Sequence, residues 1–427
     1  MKYNFPKATI PEGFSDASAY LLYLVKEGAM ARYGIISNEV KERIAYELSC
    51  LEGFEHFYIL LYHIVEFCKK EHYMLGNAPG HNSCSVINYC LGITDVDPIR
   101  WHLHFERFFL KGMTLYPDIC LTVEEAGRDA IIQYLKEAYG SQNVIDSLDY
   151  FRSHKPLMGF HLFGVYVLDR PYNEILHEEA DSDESNGSID LQTLSKTMAD
   201  QGFIPIDITG YQTLGETNRL LRYIETKYPG KVDFNDLPLD DEETFRFLSS
   251  GQRMNLSLWN NKRETFAAVR PRNITELCNA YALCMPPTFF YDRLTAYLNH
   301  KKEAELISPI CDNILRETRG QLLYQKQVTE IIQVITGLSY ADCELIRRQM
   351  KRQPDLAYKT FEEGAKKHGI VNFDEIEASW IFLLFRVSNT YMRSHALSMA
   401  LTIYKTTWLY IHYQEEAKLC NPNWFNE

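Results

Sequence analysis

The chain has 427 residues, 46% of them hydrophobic, and a net charge of −13 from 44 basic and 57 acidic side chains. That length exceeds one typical core and predicts two or more domains of an ordinary soluble globular protein, with no apolar run long enough to expect a membrane span. A phosphate grip needs clustered Lys and Arg, so this acidity argues against tight, unassisted nucleic-acid binding while leaving room for a local basic cleft.

In chain order, Met1-Lys2-Tyr3-Asn4-Phe5-Pro6 offers no apolar stretch of the signal-peptide kind, and none is expected. Asp16 predicts the cap of a helix through Tyr20, Leu21 and Leu24 that stops near Gly28. Ser37 predicts the next cap, because Val40, Ile44, Leu48 and Leu51 follow at spacings of three and four. Phe54 to Phe67 is apolar almost throughout and suits a buried element. Residues 76–94 begin as a loop and become a helix. Residues 116–123 read as a strand bounded by Pro117, and 126–139 as a helix ending at Gly140. Short apolar runs at 164–168 and 203–208 have strand character. Between them lies an acidic loop at 177–188, without apolar residues over most of its length, which predicts a mobile, solvated segment or a protein-docking tail. From about Asp240 the chain reads as mainly helical, most strongly over Leu322 to Met350 and Glu375 to Tyr413. The ten cysteines form no CxxC pair, so a zinc site has no support; most lie in apolar segments, as reduced core thiols of a cytoplasmic protein do.

One stretch carries more information than the rest. Tyr116-Pro117-Asp118-Ile119-Cys120-Leu121-Thr122-Val123 follows Phe105-Glu106-Arg107-Phe108 and precedes Arg128-Asp129-Ala130-Ile131-Ile132. In that setting it resembles the catalytic strand of the bacterial replicative DNA polymerase family, the alpha subunit of DNA polymerase III. Further segments resemble the same family in the family's order. They include Glu42-Arg43-Ile44-Ala45-Tyr46-Glu47-Leu48, the glycine loop from Gly76 to Asp97-Pro98, and Ile206-Asp207-Ile208-Thr209-Gly210. Leu239-Asp240-Asp241-Glu242-Glu243-Thr244, Tyr324-Gln325-Lys326-Gln327-Val328 and Ser394-His395-Ala396 continue the series. The resemblance implies an α+β chain. A polymerase beta-like nucleotidyltransferase palm would span 1–213, with a helical lead-in at 1–75, and a mainly helical fingers domain would span 214–427. Only a short stretch separates Gly140 from His161, where the family places a helical thumb, so the thumb is expected to be lost. Counterparts of the family's outer phosphoesterase-like, clamp-binding and OB domains are not expected in this sequence.

The family strand reads Pro-Asp-x-Asp-x-Asp, and its last two aspartates hold metal. Here those positions are Cys120 and Thr122, and Asp207 matches the third catalytic aspartate. Two-metal phosphoryl transfer needs hard carboxylate oxygens around Mg²⁺ ions about 3.5–4 Å apart. Neither a thiol nor a hydroxyl supplies that. Asp118 and Glu124 cannot replace the pair, since at about 3.3 Å per residue they stand about 20 Å apart along a strand. A single weak metal held by Asp118 and Asp207 is the remaining metal reading, and a lone aspartate before a turn also serves as a local hydrogen-bonding group.

The resemblance also places phosphate contacts at Gly80, His81 and Ser85 in the glycine loop and at Arg347, Arg348 and Lys351 in the fingers. With Arg352, the last three read as one basic helix face, and Lys326, Arg393 and His395 carry weaker hints. Other family positions have lost charge: Pro79 stands for an arginine, Pro205 for a lysine, and Cys284-Met285-Pro286-Pro287 for a Tyr-Arg-Pro-Gly-Pro element. The expectation is a catalytically degenerate relative that acts as a DNA- or protein-binding scaffold. It has no resident cofactor, a protein partner of a replication or repair complex, weak DNA binding and no membrane partner. The alternatives are an active DNA-directed DNA polymerase using Mg²⁺ at an atypical site, and thiol chemistry from Cys120 beside His81.

Overall fold

A computed structural model describes residues 3–77, 79–112, 114, 116–149, 163–175, 191–255, 262–284, 290–300, 309–370 and 372–425. The acidic loop, His161 and Met285 to Pro287 lie outside the described residues. The chain divides into two compact units, Met1–Arg222 and Tyr223–Glu427. Among the described residues the architecture is α+β, mostly helical with one small mixed sheet.

The first unit opens with helices α1 (Ala17–Tyr33), α2 (Asn38–Cys50) and α3 (Glu55–Lys70). Asp16 and Ser37 cap the first two through the amides of Ala19 and Val40. Gly28 does not end α1, which runs on to Tyr33 with Gly34 as its cap. A Cβ on Gly28 would lie 2.0 Å from the Cys90 carbonyl oxygen, so this glycine is there for close helix packing rather than termination. Helix α3 buries Phe57 to Leu61, Ile64, Val65 and Cys68. The helix after the glycine loop, α4 (Val86–Cys90), is a single short piece behind a 3₁₀ turn at Asn82–Cys84.

Strand β1 (Ile119–Glu124) leads directly into α5 (Glu125–Tyr139), which ends at Gly140 with φ 95°. Strands β2 (Val144–Asp146) and β3 (Gly164–Val167), helix α6 (Leu191–Asp200), strand β4 (Ile206–Tyr211) and helix α7 (Gln212–Lys227) follow. The sheet order is β1-β4-β3-β2, with β1 parallel to β4 and the other pairs antiparallel. β4 begins at Ile206, later than the apolar run suggests, because Pro205 has no N–H to give the ladder. Ile119, Leu121, Val123, Ile206 and Ile208 are almost fully buried. Helix α5 approaches so closely that a Cβ on Gly127 would lie 2.4 Å from Val123. Arg128 of α5 ties the sheet together from below. Its Nε donates to the Ile208 carbonyl at 2.9 Å, and its terminal nitrogens donate to Asp146 at 2.6 and 3.0 Å. Ile145, Tyr166, Leu168, Leu194, Met198 and Phe203 form a second core cluster that includes α6.

The second unit contains α8 (Glu242–Ser249), α9 (Arg263–Val269), α10 (Ile274–Leu283), α11 (Phe290–Leu298) and α12 (Pro309–Leu315). It continues with α13 (Gln325–Thr336), α14 (Tyr340–Gln349), α15 (Pro354–Lys367), α16 (Phe373–Val387), α17 (Arg393–His412) and α18 (Gln414–Cys420). The helical stretch from Leu322 to Met350 is broken by Gly337, whose φ of 66° is a left-handed helix end. Val328, Ile331, Ile332, Cys343, Ile346, Phe361 and Leu383 pack the core across α13 to α16. Helix α14 stops at Gln349, so Lys351 and Arg352 do not share its face with Arg347 and Arg348 as the spacing suggests. Pro354 opens α15 and disfavours helical backbone at Gln353, whose ψ is 64°, so the two helices cannot run on as one. Among the described residues, no helix is long and apolar enough to cross a membrane.

Candidate functional site

Pairing of β1 with β4 sets Cys120 against Asp207 and Thr122 against Thr209, while β3 places Gly164 against Asp207 on the other side. Neighbouring strands lie about 4.8 Å apart, so the Cys120 and Asp207 side chains are direct neighbours on one face. Burial pushes the Cys120 thiol up to about 12; the charges of Asp207 and Asp118 add to this, and a hydrogen bond with Thr209 opposes it. The thiol is therefore neutral at physiological pH. Tyr116 is likewise pushed up to about 12, by burial first and then by Asp118, Tyr166 and Asp207. Cys120 and Tyr116, two of the groups that feel the charge of Asp207, are thus neutral, and Asp118 is exposed.

Thr122 is closed off. It is 5% exposed, and a Cβ on Gly76 would fall 2.5 Å from its Oγ1. Gly76 N–H donates to the Thr122 carbonyl at 2.8 Å, and Glu124 N–H donates to the Met74 carbonyl at 2.9 Å, so the front of the glycine loop runs along β1. Glu124 itself accepts from Asn218 Nδ2 at 2.8 Å and is committed to α7.

A two-metal site needs several hard anionic oxygens. The register supplies one carboxylate beside a protonated thiol and two hydroxyls, with Asp118 ahead of the strand. This donor set does not fit a Mg²⁺ pair. Among the described residues, no three acid, thiol or imidazole side chains come together as a metal ion requires. The electrostatic neighbours that shift the Cys120 thiol are Asp207, Asp118 and Thr209.

In the glycine loop, Gly80 has φ 84°, and His81 opens the 3₁₀ turn. Asn82 Oδ1 accepts from Cys120 N–H at 3.4 Å and links loop to strand. Ser85 is fully buried: its hydroxyl donates to Glu47 Oε2 at 2.6 Å and accepts from Asn88 N–H at 3.2 Å. The Val86 and Ile87 amides also donate to Glu47, at 3.0 and 3.2 Å. Glu47, 0% exposed, is held in turn by Arg43 Nε at 2.7 Å. The amides at the start of α4 are therefore satisfied by an internal carboxylate. Sequence reading missed Glu47, although an acid on the same helical face as Val40 and Ile44 was its signal.

In the second unit, Arg347 makes a two-pronged contact with Glu344, at 2.8 and 2.9 Å, and Arg348 Nε reaches the same carboxylate at 2.8 Å. Glu344 is 0% exposed and also accepts from Thr329 Oγ1 at 2.9 Å. Lys351 is exposed. Lys326 pairs with Glu330 at 3.2 Å, and Arg393 pairs with Glu317 beneath the Tyr324 ring. His395 packs against Tyr281 and Tyr391; burial, with Lys262 as a second cause, lowers it to about 4.

Comparison with known proteins gives these features their class. Residues 19–153 match the bacterial DNA polymerase III alpha NTPase domain, and residues 213–369 match the bacterial DNA polymerase III alpha subunit finger domain. The chain belongs to the DNA polymerase III alpha subunit family. It is 25% identical to DNA polymerase III subunit alpha of Borreliella burgdorferi over 493 residues, covering 97% of this chain and 42% of that protein. The Treponema pallidum subunit gives 25% over 498 residues with the same coverage. The Halalkalibacterium halodurans subunit gives 24% over 505 residues, 99% of this chain and 44% of that protein. The chain thus spans less than half the length of these curated relatives.

Proposed function

We propose that this chain keeps the palm and fingers framework of the alpha subunit without its two-metal nucleotidyl transfer, and works as a binding scaffold. In this reading residues 1–213 are a nucleotidyltransferase-type palm, residues 214–427 are fingers, and the thumb is reduced. The alignments to the relatives run longer than the 427 residues of the chain, which supports segments present in them and missing here. The observation that carries the proposal is the Cys120–Asp207 register, with a protonated thiol where a second carboxylate would face the metal. Removing carboxylates from such a site takes away electrostatic stabilisation of the transition state, which is commonly the largest single contribution to catalysis. Asp207 is then a vestige of the third catalytic aspartate.

The phosphate-binding positions follow the same logic. Ser85, Arg347 and Arg348 are engaged internally, whereas Lys351 is exposed to a nucleotide or strand. With a net charge of −13, the scaffold reading favours a protein partner over strong DNA binding. Ten free thiols fit a cytoplasmic setting. Primer extension by the full chain, with Mg²⁺ or with Mn²⁺, tests the proposal. No product is expected with either ion. Extension that Asp207→Ala abolishes would overturn it and establish an active polymerase with an atypical site.

A further inference from the structure

The second unit holds an open cavity of about 540 Å³ where the end of α9 meets α8 and the turn before α13. Four arginines line it: Arg246 from α8, Arg270 and Arg272 from the loop between α9 and α10, and Arg319 from the turn after α12. We propose that this cavity is a binding site for a ligand carrying adjacent phosphate groups.

Guanidinium groups are planar forks of N–H donors that match phosphate oxygens, and several of them around one concavity recognise more than one phosphate. The volume lies within the range of small-molecule sites. Phe245, Val269 and Pro271 supply apolar wall, and Glu242 is the acidic group in the lining. Arg319 is held in place before any ligand arrives: its Nη2 lies 3.3 Å from Glu276 Oε1, and its guanidinium carbon sits 4.7 Å over the Tyr297 ring. Arg272 Nη2 stands 3.6 Å from the same Glu276 oxygen, so two guanidinium groups converge on one atom. Arg246 and Arg270, which also line the opening, are exposed. Counting Glu242 and Glu276 against the four arginines leaves an excess of positive charge here, against the acidic balance of the whole chain. Arg270 and Arg319 both sit at positive φ, 53° and 54°, at helix ends where glycine is usual, so these side chains are carried at places where the backbone resists them.

The proposal does not depend on the palm being inactive, since neither the strand pair nor the Arg347–Arg348 pair takes part. Two sources share the required chemistry: a free polyphosphate group, as in a nucleoside triphosphate, and the phosphodiester backbone of a single strand. The test uses the full chain with inorganic tripolyphosphate by calorimetry and with a fluorescein-labelled oligothymidylate by anisotropy. Parent protein is compared with the double variant Arg246→Ala/Arg270→Ala, whose exposed side chains can be removed without disturbing the fold, as circular dichroism and melting will verify. One probe is expected to bind with Kd below about 1 mM, and the double variant to weaken it at least tenfold, as loss of two charge-assisted contacts implies. Preference for tripolyphosphate identifies a free polyphosphate. Preference for the oligonucleotide, with affinity falling by about 0.7 log units per log unit of salt for each phosphate engaged, identifies a strand. Absence of binding by both probes, or binding that the double variant leaves unchanged, overturns the site.

Discussion

Replacing Cys120 by aspartate puts a carboxylate back at the strand position directly opposite Asp207. The two acids would stand about 5 Å apart, and at an effective dielectric constant of about 20 their repulsion is about 3 kcal/mol. Both positions are partly exposed, which reduces the expected loss of stability to about 1–3 kcal/mol at neutral pH without metal. Repulsion raises the pKa of the new carboxyl in the folded state above its unfolded value near 3.9. The sign follows: at and below about pH 4 the variant keeps its stability relative to parent, and it loses ground as pH rises through the raised value. Urea denaturation of parent and variant at pH 4 and pH 7.5, with and without 10 mM Mg²⁺ or Mn²⁺, measures this. Rescue by metal at pH 7.5 would mean that one substitution goes far toward rebuilding a metal site. Equal stability of parent and Cys120→Asp at pH 7.5 without metal would refute the register argument, since side chains that share a face cannot both ionise without penalty.

Three further predictions rest on buried charge. Glu47→Ala takes the carboxylate acceptor from Arg43 Nε, the Ser85 hydroxyl and the Val86 and Ile87 amides, and should cost about 3–5 kcal/mol in chemical denaturation; a loss below about 0.5 kcal/mol would rule out a structural role for this carboxylate. Arg347→Ala should destabilise by about 2–4 kcal/mol, because Glu344 stays buried with one arginine fewer, while Lys351→Ala should stay within about 0.5 kcal/mol; denaturation midpoints that put Lys351 first would invert the assignment. His395, lowered to about 4 by burial, binds protons more readily when unfolded. Stability should therefore fall as pH drops from about 6.5 toward 4, by up to about 3 kcal/mol, and His395→Gln should remove that part of the slope in melting curves over this range.

Much of the first unit is legible in particular residues. Asp16, Ser37 and Gly140 mark real helix ends because capping and positive φ are local chemistry. Gly28 and Gly337 show the limit of local reading. Both are glycines within helical patterns, yet one lies inside a helix against the Cys90 carbonyl and the other ends a helix beside His368. Only the packed neighbour distinguishes them. The basic run at 347–352 misled for a related reason: spacing assigns one face only if the helix continues, and it ends at Gln349.

Motif order and residue chemistry alone place the family frame and show two carboxylates replaced, because both are properties of the linear chain. They could not decide how the surviving groups are employed. Cys120 faces Asp207 only through the pairing of strands far apart in the chain, and Ser85 and Arg347 spend their hydrogen bonds on Glu47 and Glu344. The arginine cavity likewise gathers residues from three separate segments. Charge and donor capacity are written in the sequence, but burial and distance set whether a donor meets an internal acid or an opening to solvent, and those belong to the tertiary structure alone.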